Sequence, residues 1–531
     1  MRVVHSHMEN HGNKSTWCAD ISNDNELRKL QRPGPHQTRE FTIVQLVQGD
    51  KTFDSWLCIA KPYPYTFHAN AKRRWIGRTV LNIYETEFGA YPKSYFETAI
   101  VQGRILVSAK KVDPSYAVKD GDVLSHTIHR HEPSVAVSSC DGIDIIAETD
   151  DLVIVDKPGT LPVHPCGAYR QNSLLGLLEP KYGKLYNVNR LDRLTSGLVM
   201  IAKSSNVANQ MGMCIKRRES CQKIYLARVK GRFPLNCDRH LELEDRDGML
   251  PQCGEWLNAT SETIQSNKVI PVKEMMERHA IGYWIAEENG IPHHHVTLEH
   301  IFESQQSIEN RILALDSFPS DKKVPQVDRS HWFHLACPVR IADPKHGICE
   351  AGAFHDLDDI SYQSTVKPAQ TAFAVVRYDE ETDSTILFCR PITGRSHQIR
   401  LHLQFVGHPI ANDSEYGGDR WFADKDGEIA CQDAKAQLSI WDQDTPTLDT
   451  HATEFEVEEL VKYQQQAGEV NSDFIRRTCF LCSRRGGAGR SMLEFLVRCR
   501  GIWLHAFQYT LVNLAGEKIC HQTKVPKWCY Q

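Results

Sequence analysis

Asn189-Arg190-Leu191-Asp192-Arg193-Leu194-Thr195-Ser196-Gly197-Leu198 sets one carboxylate between two arginines, just ahead of Thr-Ser-Gly and the apolar run Leu198-Val199-Met200-Ile201-Ala202. Two neighbouring cations favour the ionised form of Asp192. The apolar run reads as a buried strand. The turn before it would lift the carboxylate to a sheet edge, where reactive groups commonly sit. An isolated Arg-Leu-Asp is more simply a salt-bridged turn, so the stretch needs a partner before it implies chemistry.

Gly394-Arg395-Ser396-His397-Gln398-Ile399-Arg400-Leu401-His402-Leu403 is that partner. It follows a strand pattern at 385–388 and opens a helix after a glycine turn. Ile399, Leu403 and Val406 share one helical face, which docks the helix on the core. Arg400 lies near the first turns and carries a guanidinium fork suited to a carboxylate or phosphate. A surface helix start rich in Arg and His would explain the charge, but not the pairing with the first stretch.

Outward from these two stretches, 143–418 reads as a mixed α/β body. Asp151-Leu152-Val153-Ile154-Val155 is a strand ending at Lys157-Pro158-Gly159, and Val207, Met211 and Ile215 mark a helix. Residues 223–231 alternate, with Tyr225, Ala227 and Val229 on one face. Polar, poorly periodic sequence at 237–330 reads as a surface insertion. Residues 1–60 read as a loose polar extension. The 61–135 segment holds eleven Lys/Arg against seven Asp/Glu, and its pattern predicts two helices followed by a small basic hairpin. Residues 426–475 read as an acidic linker or exposed helix. Residues 476–531 form a basic, cysteine-bearing C-terminal segment with ten Lys/Arg against two Glu.

Composition narrows the class. At 531 residues the chain is long enough for several domains, at about 150 residues each. With 41% hydrophobic and 24% charged residues it matches soluble globular proteins rather than disordered or fibrous chains. A net charge of −5 excludes a uniformly basic nucleic-acid coat but allows a local basic face. No apolar run is long enough to span a bilayer, and residues 1–13 lack the apolar core of a secretory signal. Seventeen scattered cysteines, an odd number, read as reduced intracellular thiols. The expected compartment is cytoplasmic and/or nuclear, with a mitochondrial location left open.

The two decisive stretches resemble motifs II and III of the RluA-type RNA pseudouridine synthases, H-R-L-D-[RK]-x-T-S-G-[LV] and G-R-[TS]-H-Q-[IL]-R-x-H. Asp156-Lys157-Pro158 with Pro162-Val163-His164-Pro165, Lys223-Ile224-Tyr225, and Gly407-His408-Pro409-Ile410 with Asp413 and Tyr416-Gly417 fit the same family in its order. Asn189 departs from the His that many members carry. Tyr91-Pro92, Tyr95-Phe96, His129-Arg130-His131-Glu132-Pro133, His164-Pro165-Cys166-Gly167 and the ending Trp503-Leu504-His505-Ala506, Tyr509, Pro526-Lys527-Trp528 resemble its eukaryotic tRNA-modifying branch.

The resemblance implies an α+β fold. A mixed, largely antiparallel-sheet pseudouridine synthase catalytic domain would span 141–425, with an N-terminal S4-like RNA-binding domain over 61–135. It implies isomerisation of uridine to pseudouridine, most typically at position 32 in the tRNA anticodon loop, with messenger or ribosomal RNA as alternative substrates. Asp192 would be the catalytic carboxylate. Tyr225, Arg400, Arg190, Arg193 and His397 would bind substrate, with Arg400 also pairing with Asp192. No cofactor is needed, because the reaction consumes neither redox equivalents nor water. The partner would be RNA, with no membrane and no nucleotide cofactor, and the protein a monomer.

Other signals are weaker. Cys479 and Cys482 have the spacing of half a zinc knuckle, but Cys499, His505, Cys520, His521 and Cys529 offer no standard second pair. His293-His294-His295 with His300 reads as surface decoration, and Gly486-Gly487-Ala488-Gly489 lacks the Lys-Ser/Thr of a phosphate loop. A non-catalytic RNA-binding protein that kept the fold remains the rival from another class. In a third reading the acidic stretch and C-terminal segment form a protein-interaction module.

Overall fold

Strands build both of the units into which the chain divides, several of them continuous apolar runs buried on both faces. The computed structural model describes residues 6–7, 41–48, 51–88, 91, 93–216, 221–233, 281–286, 331–344, 347–351, 365–420, 422, 425–443, 494–495, 497, 501–513 and 516–529. One unit comprises Met1–Val135, Cys166–Asn172 and Ile429–Arg498; the other comprises Ala136–Pro165, Ser173–Glu428 and Cys499–Gln531.

In the first unit, strands β1 (Phe41–Gln48) and β2 (Lys51–Ala60) form an antiparallel hairpin with Phe41 opposite Ala60 and Gln48 opposite Lys51. This corrects the expectation of a loose extension throughout 1–60. Averaging over the polar residues before them hid two short apolar runs, in which Val44, Leu57 and Cys58 are buried. Strand β3 (Tyr63–Asn70) precedes the expected helix pair: α1 (Val80–Ile83), extended by a π-turn over Tyr84–Phe88, and α2 (Lys93–Val101). The Thr79 hydroxyl caps α1 by accepting from Asn82 N at 3.2 Å. Strands β4 (Ile105–Val107) and β5 (Val123–Arg130) follow, and β5 pairs with both β3 and β4. The expected hairpin is therefore a three-stranded sheet. Trp75, Val80, Ile83, Phe96, Ile100 and Leu124 form its core.

The second unit is built on one mixed sheet. Its elements in chain order are β6 (Asp144–Glu148), β7 (Leu152–Lys157), α3 (Leu174–Tyr182), β8 (Ser196–Ala202), α4 (Ser205–Lys216), β9 (Cys221–Lys230), β10 (Ile281–Ala286), β11 (His331–Ala336), β12 (Gln370–Asp379), β13 (Ser384–Pro391), α5 (Gln398–Phe405), β14 (Leu504–Val512) and β15 (Lys518–Gln522). The strand order is β10-β11-β12-β13-β9-β14-β8-β7-β6, with β15 also pairing β14. Within that order β8 and β14 run parallel and the other neighbours antiparallel.

Two expectations change here. The segment read as a surface insertion contributes β10, which pairs along β11 from Ile281–Ala336 to Ala286–His331 at the end of the sheet. The C-terminal segment contributes β14, which lies inside the sheet between β9 and β8. Residues 425–443, which include the start of the stretch read as an acidic linker or exposed helix, are helical.

Burial on both faces of the sheet fixes the register. Ala227 and Val229 of β9 pack with Ile399 and Leu403 of α5. Leu226, on the other face, packs with Phe388 and Phe507. Each fully buried aliphatic side chain of this size is worth about 1.5–3 kcal/mol, so a one-residue slip would be costly.

Candidate active site

Asp192 sits in the loop that leads into β8, and its backbone oxygen accepts from Thr195 N at 3.2 Å to close the turn. Two features of the motif hold this turn on the sheet. Asn189 Oδ1 accepts from Met200 N at 2.8 Å, which ties the start of the loop to the strand that follows. Gly197 has φ +113°, and a Cβ there would lie 2.3 Å from the oxygen of Ala506 in β14. Only glycine permits that approach. Ser196 then meets β14 through its side chain, with Oγ 2.9 Å from His505 Nδ1. The other ring nitrogen of His505 lies 2.6 Å from Thr523 Oγ1. Burial pushes the His505 imidazole down to about 3, so this link is a neutral hydrogen-bond chain.

Lys157, at the end of β7, is fully buried and donates from Nζ to the carbonyls of Pro158 (2.9 Å), Leu161 (2.8 Å) and Arg193 (3.3 Å). Burial pulls its amine down to about 7 while the charge of Asp192 works the other way. An amine is thus fixed behind the Asp192 loop, held largely by carbonyl groups.

Helix α5 brings the second stretch to the same place. Its N-terminus is pinned by Gln398, whose Oε1 accepts from Thr393 Oγ1 at 2.7 Å and whose Nε2 donates to Gln370 O at 2.8 Å. His397 precedes it in the left-handed region at φ 55°, uncommon for a residue other than glycine. Its Nδ1 lies 2.7 Å from Tyr416 Oη and its Nε2 lies 3.7 Å from Asp192 Oδ2. Arg400, 2% exposed, places Nη1 at 3.9 Å from the same oxygen.

The expected pairing of Arg400 with Asp192 is therefore present but is not its closest contact. Nε and Nη2 grip Asp413 at 2.6 and 2.8 Å, and Nη2 also reaches Glu415 at 2.7 Å. The fork is spent on the buried Asp413, which leaves Nη1 to face Asp192. Burial opposes the Arg400 charge, but Asp413, Asp192 and Glu415 outweigh it and push the guanidinium further into its charged form.

Tyr225 enters from β9, where the pairing with β14 shifts register between Ile224 and Tyr225. Such an irregularity re-aims a side chain. Its hydroxyl is 2.7 Å from that of Tyr509. Burial, then Tyr509, then the charge of Asp192 hold the phenol well above its ordinary range, so it is neutral at physiological pH. The structure thus brings together Asp192, Arg400, His397 and, at electrostatic range, Tyr225. Arg190 is exposed, and its charge joins burial in lowering the His164 imidazole. Arg193 is half-buried, with its carbonyl on Lys157. Cys479, Cys482, His293-His294-His295, His300 and Gly486-Gly487-Ala488-Gly489 lie outside the described residues. No group of three or more metal-ligating side chains occurs among the described residues.

Sequence reasoning gave no role to Asp413, Glu415 or Tyr509. Asp413 and Tyr509 stood within stretches that fit the family, but nothing local in the sequence pairs Asp413 with Arg400 or Tyr509 with Tyr225.

Comparison with known proteins finds a family match over part of the chain. The sequence profile of the RNA pseudouridylate synthase family matches residues 151–298 and 350–405, which contain both decisive stretches. Those residues carry a domain of that family, of the RluA type. It is 30% identical over 372 residues to human pseudouridylate synthase RPUSD2, an alignment covering 70% of this chain and 48% of that protein. It thus spans about half the length of that relative. It is 28% identical over 475 residues to the mitochondrial tRNA pseudouridine(32) synthase of Saccharomyces cerevisiae, covering 88% of this chain and 76% of the relative. The tRNA pseudouridine(31) synthase of the same yeast is 28% identical over 505 residues, covering 88% and 94%.

Proposed function

We propose that this chain is an RNA pseudouridine synthase acting on a uridine in tRNA, in the anticodon loop and most specifically at position 32. The observation that carries this reading is the convergence of Asp192, Arg400 and His397 from two distant motifs, with Arg400 Nη1 and His397 Nε2 at 3.9 and 3.7 Å from one carboxylate oxygen.

In this reaction the N1–C1′ bond of uridine breaks and a C5–C1′ bond forms, while C5 loses a proton and N1 gains one. The base is rearranged and nothing else is consumed. Asp192 either attacks C1′ or removes the C2′ proton to give a glycal, and the two routes share the same starting geometry. Arg400, locked by Asp413, presents a fixed positive charge to the carboxylate and holds it aimed. Tyr225 packs on the uracil ring and, as a neutral phenol, assists proton movement while the detached base turns. Arg190 and Arg193 contact the RNA backbone or fill the space vacated by the base, which must leave its stack to react. The helix pair and three-stranded sheet of the first unit serve as an S4-like RNA-binding module, supported by the local excess of basic residues over 61–135.

The test is to map pseudouridine in cytosolic and mitochondrial RNA from cells lacking this protein, restored with wild type or Asp192→Ala. The expected result is that particular tRNA sites vanish and return only with wild type. Restoration of every site by Asp192→Ala would overturn the catalytic assignment and leave an RNA-binding protein. Sites lost from messenger or ribosomal RNA instead would keep the chemistry and change the substrate.

A further inference from the structure

Strand β14 brings a second tyrosine to Tyr225. Tyr509 lies outside the residues matched by the family profile and is 1% exposed, so no substrate reaches it. Its hydroxyl is 2.7 Å from that of Tyr225, with the rings 6.1 Å apart at 54°. Burial, the larger effect, raises the Tyr509 phenol, and the neighbouring side chains of Tyr225 and Asn189 oppose that rise. The Asn189 amide cannot turn freely, because its oxygen already accepts from Met200 N at 2.8 Å. Its nitrogen donates to Leu198 O at 3.4 Å, so the amide is tied at both ends to β8. Asn189 belongs to the loop of Asp192, three residues upstream. Tyr225 belongs to β9, at the place where its ladder with β14 loses register. Tyr509 lies in one core cluster with Leu191 of the Asp192 loop and Tyr225 packed against it, so it is placed beside that loop and hydrogen-bonded to Tyr225.

We propose that Tyr509 is a positioning residue of the active site: held in the core beside the Asp192 loop, it fixes the phenol of Tyr225 relative to the Asp192 carboxylate. This rests on the pseudouridine synthase reading above. The ladder shift leaves the backbone of β9 a poor guide for the Tyr225 side chain, and a buried hydroxyl anchor replaces it. Because Tyr509 acts only through Tyr225, its effect must disappear when the Tyr225 hydroxyl is gone. A purely packing role for the two rings makes a different forecast. Phe keeps both rings, so packing alone forecasts that neither hydroxyl deletion changes kcat, and losses that multiply would mean that Tyr509 acts independently of Tyr225.

A double-mutant cycle separates these cases. Wild type, Tyr225→Phe, Tyr509→Phe and the double variant are assayed for kcat and KM on the RNA whose site the mapping experiment identifies, with melting temperatures measured alongside. The expected result is that Tyr509→Phe lowers kcat about tenfold with KM nearly unchanged, and that the double variant is no slower than Tyr225→Phe. A kcat for Tyr509→Phe within about twofold of wild type, or losses that multiply, overturns the inference. If melting shows that Tyr509→Phe has lost its fold, Tyr509→Met, which removes the same hydroxyl with a side chain that can repack, takes its place with the same expectations. A wild-type protein that forms no pseudouridine at all refutes the function, not the role of Tyr509.

Discussion

Arg400 shows how one side chain can serve the site and the fold together. Asp413 is 1% exposed and receives two hydrogen bonds from Arg400. Removing the guanidinium alone leaves a buried carboxylate without its cation, a defect worth about 3–5 kcal/mol. Arg400→Met should therefore lower the thermal midpoint sharply. Adding Asp413→Leu should recover most of that loss, since a buried ion pair and an apolar pair of similar volume are often close in stability. Activity should not recover, because nothing then stands at the Nη1 position opposite Asp192. Thermal unfolding and pseudouridine formation, measured on both variants, check the two halves separately. A double variant with wild-type kcat would show that Arg400 acts on Asp192 only through the fold.

At the scale of the element, β6 and β7 place Asp144 directly opposite Asp156, and like charges in that relation destabilise a strand pair. Burial first, and Asp144 second, push the Asp156 carboxyl up to about 7, against the opposing pull of Lys157 and Lys524. The folded chain then keeps a proton that the unfolded chain releases near the ordinary carboxylate value of about 4. Between those two values the folded state binds more protons, so stability falls as pH rises through the window and levels off above it. Asp156→Asn carries no such proton. It should raise stability at pH 8 by on the order of 1 kcal/mol or more and change little at pH 4. Melting curves of both proteins at the two pH values test this, and an equal gain at both would remove the carboxyl from the account.

The same pair of strands shows what the sequence could reveal. The run from Leu152 to Val155 was legible as a strand because four consecutive apolar residues need burial on both sides. The clash of Asp144 with Asp156 was not, since it depends on register. The α5 face of Ile399, Leu403 and Val406 was legible from its helical period. Gln398, which pins that helix to β12, and Asp413, which takes the Arg400 fork, act across the chain and left no periodic trace. Hairpin β1–β2 was missed for another reason: its short apolar runs, such as Ile43-Val44 and Trp56-Leu57-Cys58-Ile59, were averaged with the polar residues before them.

On the scale of the whole molecule, the catalytic sheet closes only when the end of the chain arrives. Ser196 and His505 are 309 residues apart in sequence, yet they pair as neighbours in the parallel contact of β8 with β14. Pairings so distant carry the cost of closing a long loop before any contact rewards it. Sequence alone could not place β14, because its apolar residues specify burial on two faces but not which strands flank it. Its position bears on the reading of the C-terminal segment as a separate interaction module. Ending the chain after Asp473 would remove β14 and β15, unpair β8 and β9 along their shared neighbour, and take away Tyr509 and His505. Exposed central strand edges of this kind invite aggregation. The truncated protein should thus be insoluble or rapidly cleaved within the second unit, and should form no pseudouridine. Limited proteolysis and the modification assay on the truncated and full chains decide the matter. A soluble, active truncation would mean that the catalytic sheet stands without β14 and that the C-terminal segment is a module after all.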